Sequence, residues 1–215
     1  MDSLIRIVGL TSSLSTLFVL IAFIISKSES LKKILRWLAI YSGISFLTDL
    51  FLSISPEDSN FEILFSFTLL EYACFAYIFY MLLSKPVNQK IVIVGSFAFM
   101  VMVTVTLMDF GSKQFDNVNS GTEAILIIVY SILYFSEKLN LENLEPIFDN
   151  PGAYIVIGCL FYLAGNLFLF ITSEEQSMNV WIINSLFNLI KNVFFLIAIR
   201  KCTKLKKPVS VYNFS

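Results

Sequence analysis

The stretch Val180–Arg200 reads VWIINSLFNLIKNVFFLIAIR. It is apolar and long enough to cross a bilayer, which takes about 20 residues at about 1.5 Å of rise each. Yet it carries Asn184, Asn188, Lys191 and Asn192. On a helix these fall at i, i+4, i+7 and i+8 and form one polar stripe. Such a stripe cannot face lipid. It has to face other helices or a wet cavity, and Lys191 near mid-depth requires a partner. The rest of the chain is therefore read as a helical bundle that supplies those partners.

The bulk composition agrees. Of 215 residues, 57% are hydrophobic and 14% charged, against about 25% charged in a soluble domain. Mean hydropathy is +0.78. The expectation is an all-α integral membrane bundle of seven transmembrane helices, a single domain over 1–215, in the cytoplasmic (inner) membrane of a bacterium with the lipid bilayer around it. No stretch is left over for a soluble domain. The net charge of −1 is uninformative by itself, because the charges are unevenly spread; no nucleic-acid partner is expected. Histidine is absent, which excludes a His general base, a haem His ligand and an imidazole pH sensor. Cys74, Cys159 and Cys202 have no pair spacing and read as packing residues. No disulfide, metal or cofactor is expected.

Seven segments meet the length test: Leu4–Ser26, Ile34–Ile54, Phe61–Leu83, Ile91–Leu107, Val118–Phe135, Ala153–Ile171 and Val180–Ile199. The first has too long an apolar run for a cleaved signal and no small-residue cleavage site, so it is kept as a helix. Its Ser12, Ser15 and Thr16 make a face suited to close packing, as do Gly158 and Gly165 in the sixth segment. One set of loops holds Lys27, Lys32, Lys33, Arg36, Lys85, Lys90 and Lys138, and the tail adds Arg200, Lys201, Lys204, Lys206 and Lys207. The opposite set holds Arg6 and Lys113 beside the acids Asp2, Glu57, Asp58, Glu62, Asp109, Asp116, Glu174 and Glu175. The asymmetry places the N-terminus outside and the C-terminus in the cytoplasm, with Trp37 at the inner interface and Trp181 at the outer one. Ser55–Asn60 reads as a short outer turn. Asp149–Gly152, DNPG, ends an acidic inner loop that starts at Glu137.

Helix directions then place the polar residues by depth. Asp49 shares a face with Ser42 and Ser45 in the outer part of segment two. Glu71 sits near mid-membrane, flanked by Thr68 and Cys74. Glu123 lies in the outer third of segment five, with Tyr130 and Tyr134 further along its face. Asn166 lies in the outer third of segment six, with Tyr162 one turn below. Asn184 is outer, Asn188 between, Lys191 central. The candidate ligand-pocket residues are thus Asp49, Glu71, Glu123, Tyr130, Asn166, Asn184, Asn188 and Lys191. They predict a polar pocket open to the outside and closed below by a Glu71–Lys191 pair, since an unpaired charge at the bilayer centre costs about 2.5–3.5 kcal/mol on insertion scales. Below it, Phe75, Tyr77, Phe79, Phe194 and Phe195 read as a packed plug. The plainer alternative is that the asparagines are interhelical glue worth about 0.6 kcal/mol each.

The stretches FTLLEYACFAYIFY (Phe67–Tyr80), GTEAILIIVYSILYF (Gly121–Phe135), GCLFYLAGNLFLFI (Gly158–Ile171) and WIINSLFNLIKNVFF (Trp181–Phe195) together resemble a largely uncharacterised family of short bacterial seven-helix membrane proteins, and are similar to the membrane sensor modules of some histidine kinases. The resemblance implies a sensory or ligand-binding module, taking a small-molecule or lipid ligand. It has no kinase domain of its own, so a cytoplasmic or membrane signalling partner is implied. The basic tail Arg200–Lys207 and the acidic loop Glu137–Asp149 are the surfaces for it. Two rivals come from other classes. Thr48-Asp49 and the Gly-Asn pair of segment six resemble lysoplasmalogenase-type membrane hydrolases, in which Asp49, Glu71 and Glu123 would do acid–base work; Asn166 stands where an acid is expected, and Asn cannot transfer a catalytic proton. Lys191 with Glu71 would also suit a retinal Schiff base and counter-ion, but the expected aromatic and proline pattern of segment six is missing. A structural or assembly subunit is the remaining alternative. No catalytic residue is assigned.

Overall fold

The computed structural model describes residues 2–26, 31–56, 60–108, 117–139, 147–172 and 178–204. These form α1 (Asp2–Ile25), α2 (Lys32–Ile54), α3 (Asn60–Leu82), α4 (Pro86–Met108), α5 (Asn117–Leu139), α6 (Pro151–Thr172) and α7 (Met178–Lys204), with one 3-10 turn, Ile147–Asp149, before α6. Among the described residues, seven helices are long and apolar enough to cross a membrane. The side chains of Asp2, Arg6, Lys27, Glu57, Asp58, Asp109, Lys113, Asp116, Glu174, Glu175, Trp181, Lys206 and Lys207 lie outside the described residues, as do positions 57–59 of the expected outer turn and 140–146 of the expected inner loop.

Several helices outrun the apolar segments. α4 begins at Pro86 rather than Ile91, α5 continues to Leu139 rather than Phe135, and α7 to Lys204 rather than Ile199. Hydropathy stops where polar residues start, but Lys, Gln and Glu are good helix formers, and proline suits the first helical position. Pro151 opens α6 in the same way. Asn150 caps that end, its Oδ1 accepting the Gly152 N–H at 2.8 Å. The DNPG sequence is thus a helix start as much as the end of a loop.

α1, α2, α3, α5, α6 and α7 follow one another around a ring, and α7 closes back on α1; α4 wedges outside, against α3 and α5. The perimeter is apolar and exposed, for example Leu10, Leu14 and Phe18 on α1 and Val94, Phe97 and Met100 on α4. In water this would be an adhesive patch; it is compatible with a surface that a bilayer solvates.

Two seams let helices approach closely. On α6, a Cβ added at Gly158 would stand 3.1 Å from the Phe194 Cβ and 3.2 Å from the Lys191 carbonyl oxygen, and one at Gly165 would stand 2.5 Å from the Phe187 ring. On α1, the buried Ser12, Ser15 and Thr16 face α7. There the Asn188 amide donates to Ser12 Oγ at 2.8 Å and the Asn192 amide to Ser15 Oγ at 2.7 Å. Both small-residue faces read from the sequence therefore serve as packing faces.

Inside the ring, the half nearer the C-terminal end of α7 is solid. Phe75, Phe79, Tyr134, Ile155 and Phe195 are all fully buried. Tyr77, expected in this plug, is 43% exposed and packs instead at a tilt against Trp37 at the perimeter, ring centroids 4.7 Å apart. Phe194 is only partly buried. In the other half Thr48, Asp49, Ser120, Asn184 and Asn188 keep partial exposure, while Ser45, Thr68, Glu123 and Asn166 are buried.

Glu137 corrects a second expectation. It does not begin a free acidic loop. It lies buried in the last turn of α5 and caps the entry to α4. Its carboxylate accepts the Ser84 and Lys85 backbone N–H groups at 2.8 and 3.0 Å and the Asn88 amide at 2.8 Å. A helix N-terminus presents unpaired N–H donors, and a carboxylate satisfies them with charge assistance. Glu137→Ala is expected to lower stability by about 2 kcal/mol or more, as buried donors lose a charged acceptor. Hydrogen exchange should speed up at the Ser84 and Lys85 amides; unchanged exchange there would contradict the cap.

Candidate functional site

Four helices each place one polar side chain near mid-length: Tyr41 on α2, Glu71 on α3, Tyr162 on α6 and Lys191 on α7. All are buried, with exposures of 0, 4, 7 and 0%. The Tyr41 hydroxyl donates to Glu71 Oε1 at 2.7 Å and accepts a short hydrogen bond from Lys191 Nζ. The ammonium also lies 3.8 Å from the centroid of the Tyr162 ring and 4.6 Å from that of Tyr41. Tyr162 comes close enough to interact with the Glu71 carboxylate and with Asn166. The Tyr41 ring is wedged against Phe75, centroids 4.5 Å apart.

The expected Glu71–Lys191 pair is thus a triad. The two charges do not meet directly; the Tyr41 hydroxyl stands between them. The reason is the ring order. α3 and α7 are not neighbours in the ring, so side chains at equal depth on them still need a third group to span the interior. A phenol suits that span, since its hydroxyl both donates and accepts. The face of the Tyr162 ring completes the ammonium's surroundings, and a desolvated cation–π contact contributes about 2 kcal/mol.

Tyr41 is the member of the triad that sequence reading missed, although a signal existed. It precedes Ser45 and Asp49 at i−4 and i−8, on the stripe already recognised on that helix.

The other candidates fall into separate groups. Asp49 is half-buried and accepts the Ser13 hydroxyl at 2.7 Å. Glu123 is buried on α5 and, with Asp49, contributes to the field at Lys191 more weakly than Glu71 does. Asn166 sits beside Tyr162, and its Oδ1 accepts no hydrogen bond; the same holds for Asn184 Oδ1. Asn188 belongs to the α1–α7 seam. Tyr130 lies elsewhere, in a cluster of α3, α4 and α5. Its hydroxyl is 3.1 Å from that of Tyr72, donates to the Val92 carbonyl at 3.3 Å, and occupies the space that Gly95 leaves by lacking a Cβ.

This arrangement can hold a charge and exchange hydrogen bonds. Asp49 and Glu71 each have a hydroxyl partner of their own and share none. Lys191 has the surroundings of a held cation, the Tyr162 ring face and the Tyr41 hydroxyl. Among the described residues, no group of three or more His, Cys, Asp or Glu side chains could hold a metal ion. Comparisons of the chain with protein-family models, curated proteins and solved structures found no match. Fold and site together define a seven-helix chain, compatible with a multi-pass membrane protein, with a charged triad at its centre.

Tyr41→Phe keeps the ring and removes the bridge, leaving two buried charges without their shared partner. The expected loss is about 3 kcal/mol, the scale for breaking a buried pair, read from reversible unfolding in mixed micelles. Tyr162→Phe keeps the ring over Lys191 and should lose less than half as much. Equal losses would contradict the bridging role of Tyr41.

Proposed function

We propose that this is a multi-pass protein of a bacterial cytoplasmic membrane, N-terminus outside, acting as a non-enzymatic sensory or ligand-binding module. The orientation rests on the basic side chains Lys32, Lys33, Arg36, Lys85, Lys90 and Lys204, all exposed at the same end of the bundle. Binding rests on one observation above all: Glu71, Tyr41 and Lys191 meet, buried, near the middle of four helices. Asp49, Asn166 and Asn184 line the half of the ring opposite the plug, and the two asparagines have amide oxygens without donors.

In this reading, a small polar molecule or lipid headgroup enters from the outer side and competes for the triad. Drawing Glu71 or Lys191 from Tyr41 loosens the tie between α2–α3 and α6–α7. A ligand shifts the packing only by its differential affinity for the two arrangements. α7 carries both Lys191 and, at its basic end, Lys201, which pairs with Asp149 at 3.4 Å and bonds the Phe148 carbonyl. A displacement of α7 therefore reaches the segment before α6 and the exposed Arg200 and Lys204, where a cytoplasmic signalling partner would read it. The hydrolase reading would need two carboxylates working on one substrate; Asp49 and Glu71 each hold a different hydroxyl, Ser13 and Tyr41.

Native mass spectrometry of protein extracted gently from its own membrane tests this. A retained small molecule or lipid is expected, lost in Glu71→Gln and in Lys191→Met but kept in Glu137→Gln, which lies far from the triad. A folded chain with no adduct, or an adduct indifferent to both triad variants, overturns the binding reading; a stoichiometric protein partner in its place points to an assembly subunit.

A further inference from the structure

The α1–α7 seam is a ladder with one rung to spare. The two helices run parallel, since Ser12 on α1 meets Asn188 on α7 and, further along both, Ser15 meets Asn192. In each rung the asparagine amide donates to a serine Oγ, at 2.8 and 2.7 Å. Asn184, Asn188 and Asn192 stand at i, i+4 and i+8, on one stripe of α7. Asn184, the first of the three, has a buried Oδ1 without a donor. One turn before Ser12 the ladder reaches Val8 and Gly9, which carry no hydroxyl, and a Cβ at Gly9 would meet nothing within 4 Å.

Sliding α7 by one turn toward its own C-terminal end, about 6 Å for four residues, brings Asn184 to Ser12 and Asn188 to Ser15. The number of rungs is conserved. The opposite slide brings Asn192 to Ser12 but Leu196 to Ser15, and loses a rung. The α6 seam accepts the first slide: the spaces at Gly165 and Gly158, filled now by Phe187 and Phe194, would receive the smaller Ile183 and Ile190. The triad opposes it. Lys191 would leave the Tyr41 hydroxyl and descend toward the level of Phe195, inside the plug. Lys201 would part from Asp149 and the Phe148 carbonyl.

We propose that α7 is a two-position element that ratchets by one turn on α1, with the Glu71–Tyr41–Lys191 triad as the catch that holds the present position. The move is discrete, because intermediate offsets leave both rungs unmade. It gives the α7 displacement of the proposed signalling a size and a direction, and it rests on that reading for its purpose.

Disulfide trapping in membranes, in a chain with Cys74, Cys159 and Cys202 replaced by alanine, tests the ratchet. Ser12→Cys is paired in turn with Asn188→Cys, Asn184→Cys and Asn192→Cys, which report the present position, the slid position and an equal slide the other way. The second and third pairs start offset by about 6 Å along the seam, which puts their Cα atoms beyond the about 7 Å that a disulfide spans. The first pair should close fastest. The second should close at least about ten-fold faster than the third, a bias of about 1.4 kcal/mol. Lys191→Met, which removes the catch and leaves no ammonium to bury, should speed the second pair several-fold and leave the third unchanged; Tyr41→Phe takes its place if that variant does not fold. Equal closure of the second and third pairs, or a second pair indifferent to loss of the catch, overturns the proposal. The cross-links need no ligand. A retained adduct with a silent second pair therefore overturns the ratchet alone, and an empty chain with an active second pair overturns the binding reading alone.

Discussion

The ammonium of Lys191 has no solvent. It sits at the middle of α7, fully buried, in a chain whose perimeter is hydrocarbon-like. Taking a charge out of water costs several kcal/mol even after relaxation, and only well-placed partners offset it. Three helices supply them. Tyr41 gives a hydroxyl, Tyr162 a ring face, and Glu71 the counter-charge one hydrogen bond further on. Much else in the interior follows from that demand. α2, α3, α6 and α7 must present these side chains at one depth. The glycines of α6 must let it close on α7, where the Lys191 carbonyl lies within van der Waals reach of a Cβ at Gly158.

The remaining polar contacts divide into supports and unused capacity. Ser12 and Ser15 tie α1 to α7, Ser13 ties α1 to Asp49, and Glu137 ties α5 to the start of α4. Each satisfies a group that lipid cannot. Against these stand amide oxygens with no donor, on Asn166 and Asn184 above the triad and on Asn192 at the outer seam. Asn188 and Asn192 belong to both groups, since their amide nitrogens are bonded in the α1–α7 seam while their oxygens are not.

Much of the architecture was legible in the sequence. Apolar segment length reported helix number, because lipid forces every spanning segment to satisfy its own backbone. Small-residue spacing reported the two tight seams. The centre was legible in part. Glu71 and Lys191 announced themselves as charges in apolar segments, and depth counting put them level. What depth cannot give is azimuth, that is, which helices stand next to each other around the ring. Without it, Tyr41 as the bridge, the turn of Asn188 and Asn192 toward α1, and the departure of Tyr130 to the α4 side were not readable. Glu137 was misread for a related reason: hydropathy marks where lipid contact ends, whereas the helix continues and carries its carboxylate back under a neighbour's N-terminus.

The central claim is that Glu71 and Lys191 act as one unit through Tyr41, although they do not touch. A double-mutant cycle of Glu71→Gln and Lys191→Met on unfolding free energy measures this directly. Groups in one hydrogen-bonded network couple by about 0.5–3 kcal/mol, whereas independent sites add within about 0.5 kcal/mol. The account predicts that the double variant is less destabilised than the sum of the singles by at least about 1 kcal/mol, and that the coupling vanishes when the cycle is repeated in Tyr41→Phe. Additive effects in the native background, or coupling that persists without the Tyr41 hydroxyl, would contradict it.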